Sequence, residues 1–304
     1  MKRRTFLRQM GATTLLLSSG MPSLLANTAG TTQTLTILHT NDWHSRIEPF
    51  PEDGGRNAGM GGAVRRARMI EAIRAESSQV LLLDAGDIFQ GTPYFNLYGG
   101  EPEFKLMSAM RYDAATIGNH DFDGGLDNLA SQLERHATFS MLNCNYDLSD
   151  SPLHDKVQPW KVFRKGGLKI GVFGVGIELK GLVAPSLYGN IQYRDPIASA
   201  NATALHLTME EKCDLVICLS HLGYRYRDEK VSDTVLAQAS EHIDIIIGGH
   251  THTFLEQPEI IRNREQQPVI VNQVGWGGIL LGRLDIAFSA HRGKRCINCS
   301  NEWV

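Results

Sequence analysis

At 304 residues, 42% of them hydrophobic and 21% charged, the chain can bury one large core or two small ones. Its formal charge of −3 supplies no global field for nucleic acid or an acidic membrane surface. A polybasic binder is excluded, and any phosphate must be held by local groups.

The first thirty residues, MKRRTFLRQMGATTLLLSSGMPSLLANTAG, begin with Lys2, Arg3 and Arg4, continue through an apolar run ending at Leu25, and close on small residues. They read as an export signal over residues 1–29, cleaved after Ala26 or Ala29. Arg3 and Arg4, followed by Phe6 and Leu7, resemble the twin-arginine type, which implies a periplasmic or otherwise exported protein. The run is broken by Thr, Ser, Gly and Pro22 and is short for a bilayer, so stable membrane insertion is not expected. Residues 30–304 are expected to form a single domain. Of the five cysteines, Cys144, Cys213 and Cys218 sit in or beside apolar runs and read as small core residues. Cys296 and Cys299, in CINC, are spaced for a local bridge but lack the second ligand pair of a zinc site.

Beyond the signal, β-rich runs alternate with polar or glycine turns and helical stretches. Strands are predicted at 34–39, 80–83, 114–117, 139–142, 168–175, 214–219, 243–247, 268–274 and 279–287. Several are unbroken apolar runs, as strands covered on both faces require. Helices are predicted for AVRRARMIEAIRAE, with Ala63, Ala67 and Ile70 stepping along one face, and for DTVLAQASE. The class is α/β. The glycine cluster at 53–62 lacks the Gly-Lys-Ser/Thr ending of a P-loop and reads as a rim loop or connector; GVFGVG at 171–176 reads as strand packing.

Five apolar runs end in groups that bind metals. TLTILHTNDWH delivers Asp42 and His44, VLLLDAGD delivers Asp87, AATIGNHD delivers Asn119 and His120, DLVICLSH delivers His221, and IDIIIGGHTH delivers His250 and His252. In α/β sheets the carboxyl ends of strands converge on one crevice, so these residues can meet. Carboxylate, imidazole and amide oxygen suit Zn, Mn or Fe, and seven candidate ligands exceed the needs of one ion. Gly86, Gly118, Gly248 and Gly249 are expected to let the backbone turn beneath the metals. His39 reads as a core or supporting group, Asp84 as a support for a ligand or a turn-former, and Trp43, Tyr94 and Trp276 as packing or pocket lining. His136, His154, His206, His242 and His291 belong to no motif.

Together, HTNDWH, the Gly-Asp of VLLLDAGD, GNHDFD, the His of DLVICLSH and GGHTH resemble the motifs of the calcineurin-like metallophosphoesterase superfamily, in order. With LLGRLDI they resemble the N-terminal catalytic domain of the 5'-nucleotidase family, over roughly residues 34–287. The resemblance implies an α/β/β/α sandwich of two mixed sheets with a dinuclear metal site at the carboxyl ends of strands. It implies two divalent metal ions, one held by Asp42, His44, Asp87 and His252 and the other by Asp87, Asn119, His221 and His250, with Asp87 bridging. It places His120 against the substrate phosphate, oriented by Asp123. Asp121 stands where the family commonly has Glu, which puts the shape of that loop in question.

The activity implied is exported phosphate monoester hydrolysis by metal-activated water, acting on a small phosphate ester, most simply a nucleotide. Alternatives of the same chemistry are thiosulfohydrolase-like or cyclic-nucleotide phosphodiesterase action; a catalytically weak sensor is the non-enzyme reading. The family's C-terminal substrate domain is not recognised here, so a separately encoded domain of that kind is an expected partner.

Overall fold

Strands that are apolar at every position must be covered on both faces, and the chain uses its predicted runs in that way. A computed structural model describes residues 33–289 and 293–304; the segment read as an export signal and His291 lie outside the described residues. The chain runs β1 (Gln33–Thr40), α1 (Ala63–Glu76), β2 (Val80–Asp84), α2 (Pro93–Tyr98), α3 (Glu101–Ala109) and β3 (Ala114–Thr116). A short 3-10 turn (His120–Phe122) leads to α4 (Leu126–His136), β4 (Ser140–Leu142), β5 (Tyr146–Asp147), β6 (Val157–Gln158), β7 (Trp160–Lys165) and β8 (Leu168–Val175). Next come α5 (Pro185–Tyr188), β9 (Gln192–Tyr193), α6 (Pro196–Met209), β10 (Leu215–Ser220) and α7 (Asp233–Ala239). The last elements are β11 (Ile245–Gly248), β12 (Glu259–Arg262), β13 (Pro268–Asn272), β14 (Leu280–Ser289) and β15 (Gly293–Trp303).

Among the described residues one sheet has the order β15-β14-β1-β2-β3-β4-β6 and another the order β12-β13-β11-β10-β8-β7. Both are mixed. In the first, β1, β2, β3, β4 and β6 are parallel, β14 pairs antiparallel with β1, and β15 pairs antiparallel with β14. In the second, β8, β10, β11 and β13 are parallel and the edge strands β7 and β12 antiparallel. Side-chain alternation sorts each run between two cores. Leu81 and Leu83 of β2 face Ile217 and Ile247 between the sheets. Val80 and Leu82 face the other way, onto Ile70, Phe104 and Leu129 of α1, α3 and α4. Val216 and Cys218 of β10 turn outward onto Ala204, Leu207 and Leu236 of α6 and α7. The result is the expected α/β/β/α sandwich. No helix among the described residues is long and apolar enough to cross a membrane.

Several boundaries differ from the sequence expectation by a residue or two. The run 214–219 becomes Leu215–Ser220, with the Asp214 carboxylate accepting the Lys169 amide just before it, and 243–247 becomes Ile245–Gly248, with Asp244 accepting from Val216 N. The C-terminal stretch was not expected to be a strand, yet β15 pairs with β14 along its length, with a bulge at Asp285/Ile286. Cys296 and Cys299 are joined within β15, whereas Cys144, Cys213 and Cys218 are free and pack in or against the outer core of the second sheet.

GVFGVG packs as read from the sequence. A Cβ on Gly171 would press on Leu207 and Cys213 at 3.0 and 3.1 Å, and one on Gly174 would run into Leu142 O and Thr116 Oγ1 of the facing sheet. Gly174→Ala is therefore expected to overpack the space between the sheets and lower unfolding free energy by about 1–3 kcal/mol. Chemical denaturation of the variant beside the parent protein measures this, and a loss within error of zero would show that the sheets can separate freely there.

Candidate metal centre

Every motif sits just past the carboxyl end of a strand. Asp42 and His44 follow β1, Asp87 follows β2, Asn119 and His120 follow β3, His221 follows β10, and His250 and His252 follow β11. The backbone bends back at these points through conformations that L residues avoid. Asp42, His44, Asp87, His250 and His252 have φ of 49°, 52°, 56°, 73° and 52°. The left-handed region costs a non-glycine residue roughly 1–2 kcal/mol, so the surrounding structure must hold each one there.

That support is visible. Asp42 N, His44 N and Ser45 N donate to the carbonyls of Gly86, Asp87 and Ile88 at 2.9, 3.0 and 2.9 Å, which zips the β1 loop to the β2 loop. Asn41 donates to the Asp42 carboxylate and to Gly275 O, both at 2.6 Å, and accepts from Val274 N at 2.9 Å. Asp121, fully buried, accepts the amides of Asp87, Ile88, Phe89 and Gly118 at 3.1, 2.9, 3.1 and 2.8 Å. It thus fixes the Asp87 loop while leaving His120 bonded to Asp123. Of the four glycines expected to turn the chain, only Gly86 has positive φ, 88°; Gly118, Gly248 and Gly249 serve by lacking volume. A Cβ on Gly249 would lie 2.8 Å from Ala85 O and 2.9 Å from His221 Nδ1.

Two groups of side chains converge. The ligand atoms of Asp42, His44 and His252 lie within 4.8 Å of one another, as do those of Asp87, His221 and His250. His221 shows why the second group fits a cation. Its Nδ1 donates to Ala85 O at 2.7 Å, so in the neutral ring Nε2 carries a lone pair. That buried Nε2 lies 3.0 Å from Asp87 Oδ2. A lone pair against a carboxylate is repulsive unless a proton or a metal lies between them. Burial pulls His221 down, but the Asp87 carboxylate overrides it and pushes the imidazole up to about 10. Asp87 itself, despite its burial, is held well below the usual carboxylate range by His221 and then His44. Burial holds His44 low and takes His250 down to about 4, which keeps both in the neutral form a metal needs.

The remaining contacts complete two overlapping sets. Asn119 Oδ1 is 2.8 Å from His250 Nδ1 and His44 Nε2 is 2.9 Å from His252 Nε2. Asp87 Oδ2 lies 3.9 Å from His44 Nε2 as well as 3.0 Å from His221, so its carboxylate faces both sets. His120 stands apart from either. Its amide donates to Asp87 Oδ1 at 2.8 Å, its ring meets His44 edge-on at 5.3 Å, and Nδ1 bonds Asp123 Oδ2 at 2.8 Å. That bond to Asp123 raises its pKa. The side chains of His120 and His252 are both 39% exposed and mark the mouth of the centre.

Other candidates fall outside. His39 is buried away from the ligands, pushed down to about 3 by burial, and accepts from Asn272 Nδ2 at 2.8 Å. Asp84 takes the structural alternative, bonding Thr40 and the Gly86 amide rather than a ligand. His136 ends α4, His154 lies by Asp155, His206 by Trp160 and His242 by Glu265, none at the centre. Trp43 is buried beneath Arg66 and Tyr94 bonds Glu48 at the surface; of the three aromatics only Trp276 borders the site, stacked on His252. Asn41 and Asp121 were not singled out as supports, although each adjoins a motif residue in sequence.

Comparison with known proteins agrees with this geometry. Residues 35–254 match the family model for calcineurin-like phosphoesterase. The snake venom 5'-nucleotidase of Crotalus adamanteus is 35% identical over 274 residues, covering 84% of this chain and 45% of the relative. Human 5'-nucleotidase is 35% identical over 301 residues, covering 90% of this chain and 50% of the relative. The crystal structure of the 5'-nucleotidase precursor from Thermus thermophilus superposes with a TM-score of 0.80 at 30% identity, covering 90% of this chain and 55% of that one. The chain thus spans about half the length of these relatives. With two ligand groups suited to the two divalent ions such enzymes use, the chain belongs to the calcineurin-like phosphoesterase family, with 5'-nucleotidases as its relatives.

Proposed function

We propose that this chain is an exported hydrolase that removes phosphate from nucleotides or similar small monoesters. The observation that carries the reading is the convergence of Asp42, His44 and His252 and of Asp87, His221 and His250 into two adjoining groups at the strand ends, with His221 Nε2 3.0 Å from Asp87 Oδ2. In this reading Asp42, His44, Asp87 and His252 hold one divalent ion, and Asp87, Asn119, His221 and His250 the other. Ions held there supply positive charge to a phosphoryl group and activate water. His120, with Nδ1 engaged by Asp123, keeps Nε2 available at the mouth to carry a proton for the leaving oxygen. Its raised pKa favours the protonated form that this role needs.

Export rests on the sequence of residues 1–29 and is supported by the Cys296–Cys299 bridge, a bond that persists in oxidising compartments. Residues 30–304 are then the catalytic domain. Selectivity among nucleosides belongs, in this reading, to chain resembling the half of the relatives that lies outside the match.

The reaction itself is tested by product analysis on AMP, a cyclic nucleotide and a thiosulfonate. Phosphate release from AMP is the expected result, and sulfate release from the thiosulfonate in preference to it would overturn the assignment. Asp87→Asn is expected to lower occupancy of both ions, whereas His252→Ala chiefly empties one; elemental analysis showing two full sites in both variants would remove Asp87 from the bridging role. His120→Asn is expected to retain both metals while turnover falls by a factor of roughly 100 to 10,000. Loss of a metal in that variant would make His120 a ligand instead.

A further inference from the structure

The strand β13 runs parallel to β11 and ends at the same edge of the second sheet, yet it delivers no candidate ligand. Its pairing of Asn272 with Ile247 places the next residue, the fully buried Gln273, beside Gly248. A Cβ on Gly248 would lie 3.2 Å from Gln273 Nε2 and would run into Asp233 Oδ2, so the missing side chain leaves room for the amide. Gln273 Nε2 donates to Gly249 O at 2.5 Å, and Oε1 accepts from Thr251 Oγ1 at 3.0 Å and from Thr253 N at 2.5 Å. One amide thus grips residues 249, 251 and 253. The residues between them are His250 and His252, one in each ligand group.

We infer that Gln273 is a positioning residue that fixes the offset between His250 and His252, and through them the spacing of two metal ions; the inference rests on the dinuclear hydrolase reading above. Both histidines hold left-handed backbone, with φ of 73° and 52°, which L residues avoid, so the segment needs ties from outside it. Other ties act singly: the Asp42 carboxylate takes the His250 amide, Thr251 Oγ1 accepts from Tyr224 N, and Gly275 N donates to Thr253 O. Among the described residues, Gln273 is the side chain that bonds the chain on both sides of each histidine. The task needs a donor and an acceptor on one planar group, because Thr253 presents an N–H and Gly249 a carbonyl. A carboxylate would set a second acceptor against Gly249 O, and asparagine falls one methylene short.

Titration of the intact metal-free chain with Mn²⁺ tests this without any substrate. The parent protein is expected to bind two ions and to give the electron paramagnetic resonance spectrum of an exchange-coupled pair. Gln273→Met keeps the volume and removes all three bonds; it is expected to weaken binding of both ions by roughly 10- to 100-fold and to lose the coupled spectrum at saturating Mn²⁺. Gln273→Glu keeps the two accepted bonds and is expected to weaken both ions by a smaller factor. A merely structural role would lower the denaturation midpoint of the metal-free variants while leaving both affinities and the spectrum as in the parent, and that result overturns the inference. Weakening confined to one ion overturns it too, since Gln273 would then support a single histidine. Should Gln273→Met fail to fold, Gln273→Glu decides alone, with parent-like affinities and spectrum again the overturning result. A parent that binds fewer than two ions would instead remove the dinuclear reading, and the inference with it, before any variant is compared.

Discussion

The structure turns on lone pairs and carboxylates forced to face one another at the ends of five strands. Buried Asp42 and Asp87 lie among four imidazoles, and in the Asp87–His221 contact neither partner can turn away: Nδ1 is tied to Ala85 O and Asp87 Oδ1 to the His120 amide. Such an arrangement is stable only with positive charge inside it. A proton between His221 Nε2 and Asp87 Oδ2 can supply part of that charge, and the carboxylate pushes the imidazole pKa up. Two divalent ions supply more, at the positions where the ligand atoms already point, and the low dielectric that penalises the bare cluster strengthens its hold on cations.

Holding this cluster open explains features that look wasteful on their own. Five ligands occupy left-handed backbone, where glycine would be easier, because a glycine has no side chain to offer a metal. The strain is offset by bonds that do nothing else: Asp121 collects four amides around Asp87, and Asn41 ties the Asp42 turn to the Val274–Gly275 segment. At 121 the aspartate carboxylate reaches all four amide donors, so the loop that raised doubt in the sequence is well supported. His120 is thereby free to bond Asp123 while its backbone secures Asp87.

Much of this was legible before the structure, for particular physical reasons. Runs such as VLLL and DLVICLS have the period-blind hydrophobicity of doubly covered strands, and a metal ligand at the end of each is a local signal. What lay hidden depends on non-local contacts. The strand β15 is polar and half-exposed, so nothing in its composition marks it; only pairing with β14 makes it a strand. The helix α6 was not anticipated either, although Asp195 and Pro196 carry a capping signal, the Asp195 carboxylate accepting the Ala198 amide at 2.7 Å. The glycines of GGHTH and GNHD were expected to turn the chain, but their value lies in the absence of a Cβ where Ala85, His221 and Asp87 approach, which no single sequence can show.

The position of the centre also makes it a fastening between the two sheets. Asp42, His44, Asp87 and Asn119 come from the first sheet, and His221, His250 and His252 from the second. Protein contacts already bridge the seam, with His250 N bonding the Asp42 carboxylate at 3.0 Å and His221 Nδ1 bonding Ala85 O at 2.7 Å. Each proposed ion draws ligands from both sides, so binding energy for metal is also binding energy between sheets. The apolar layer between the sheets, built from residues such as Leu81, Leu83, Ile217 and Ile247, and the close fit of Gly174 against Leu142 O and Thr116 Oγ1 hold the sheets together beneath the site. Directional ligands drawn from both sheets add to that hold at the carboxyl edge.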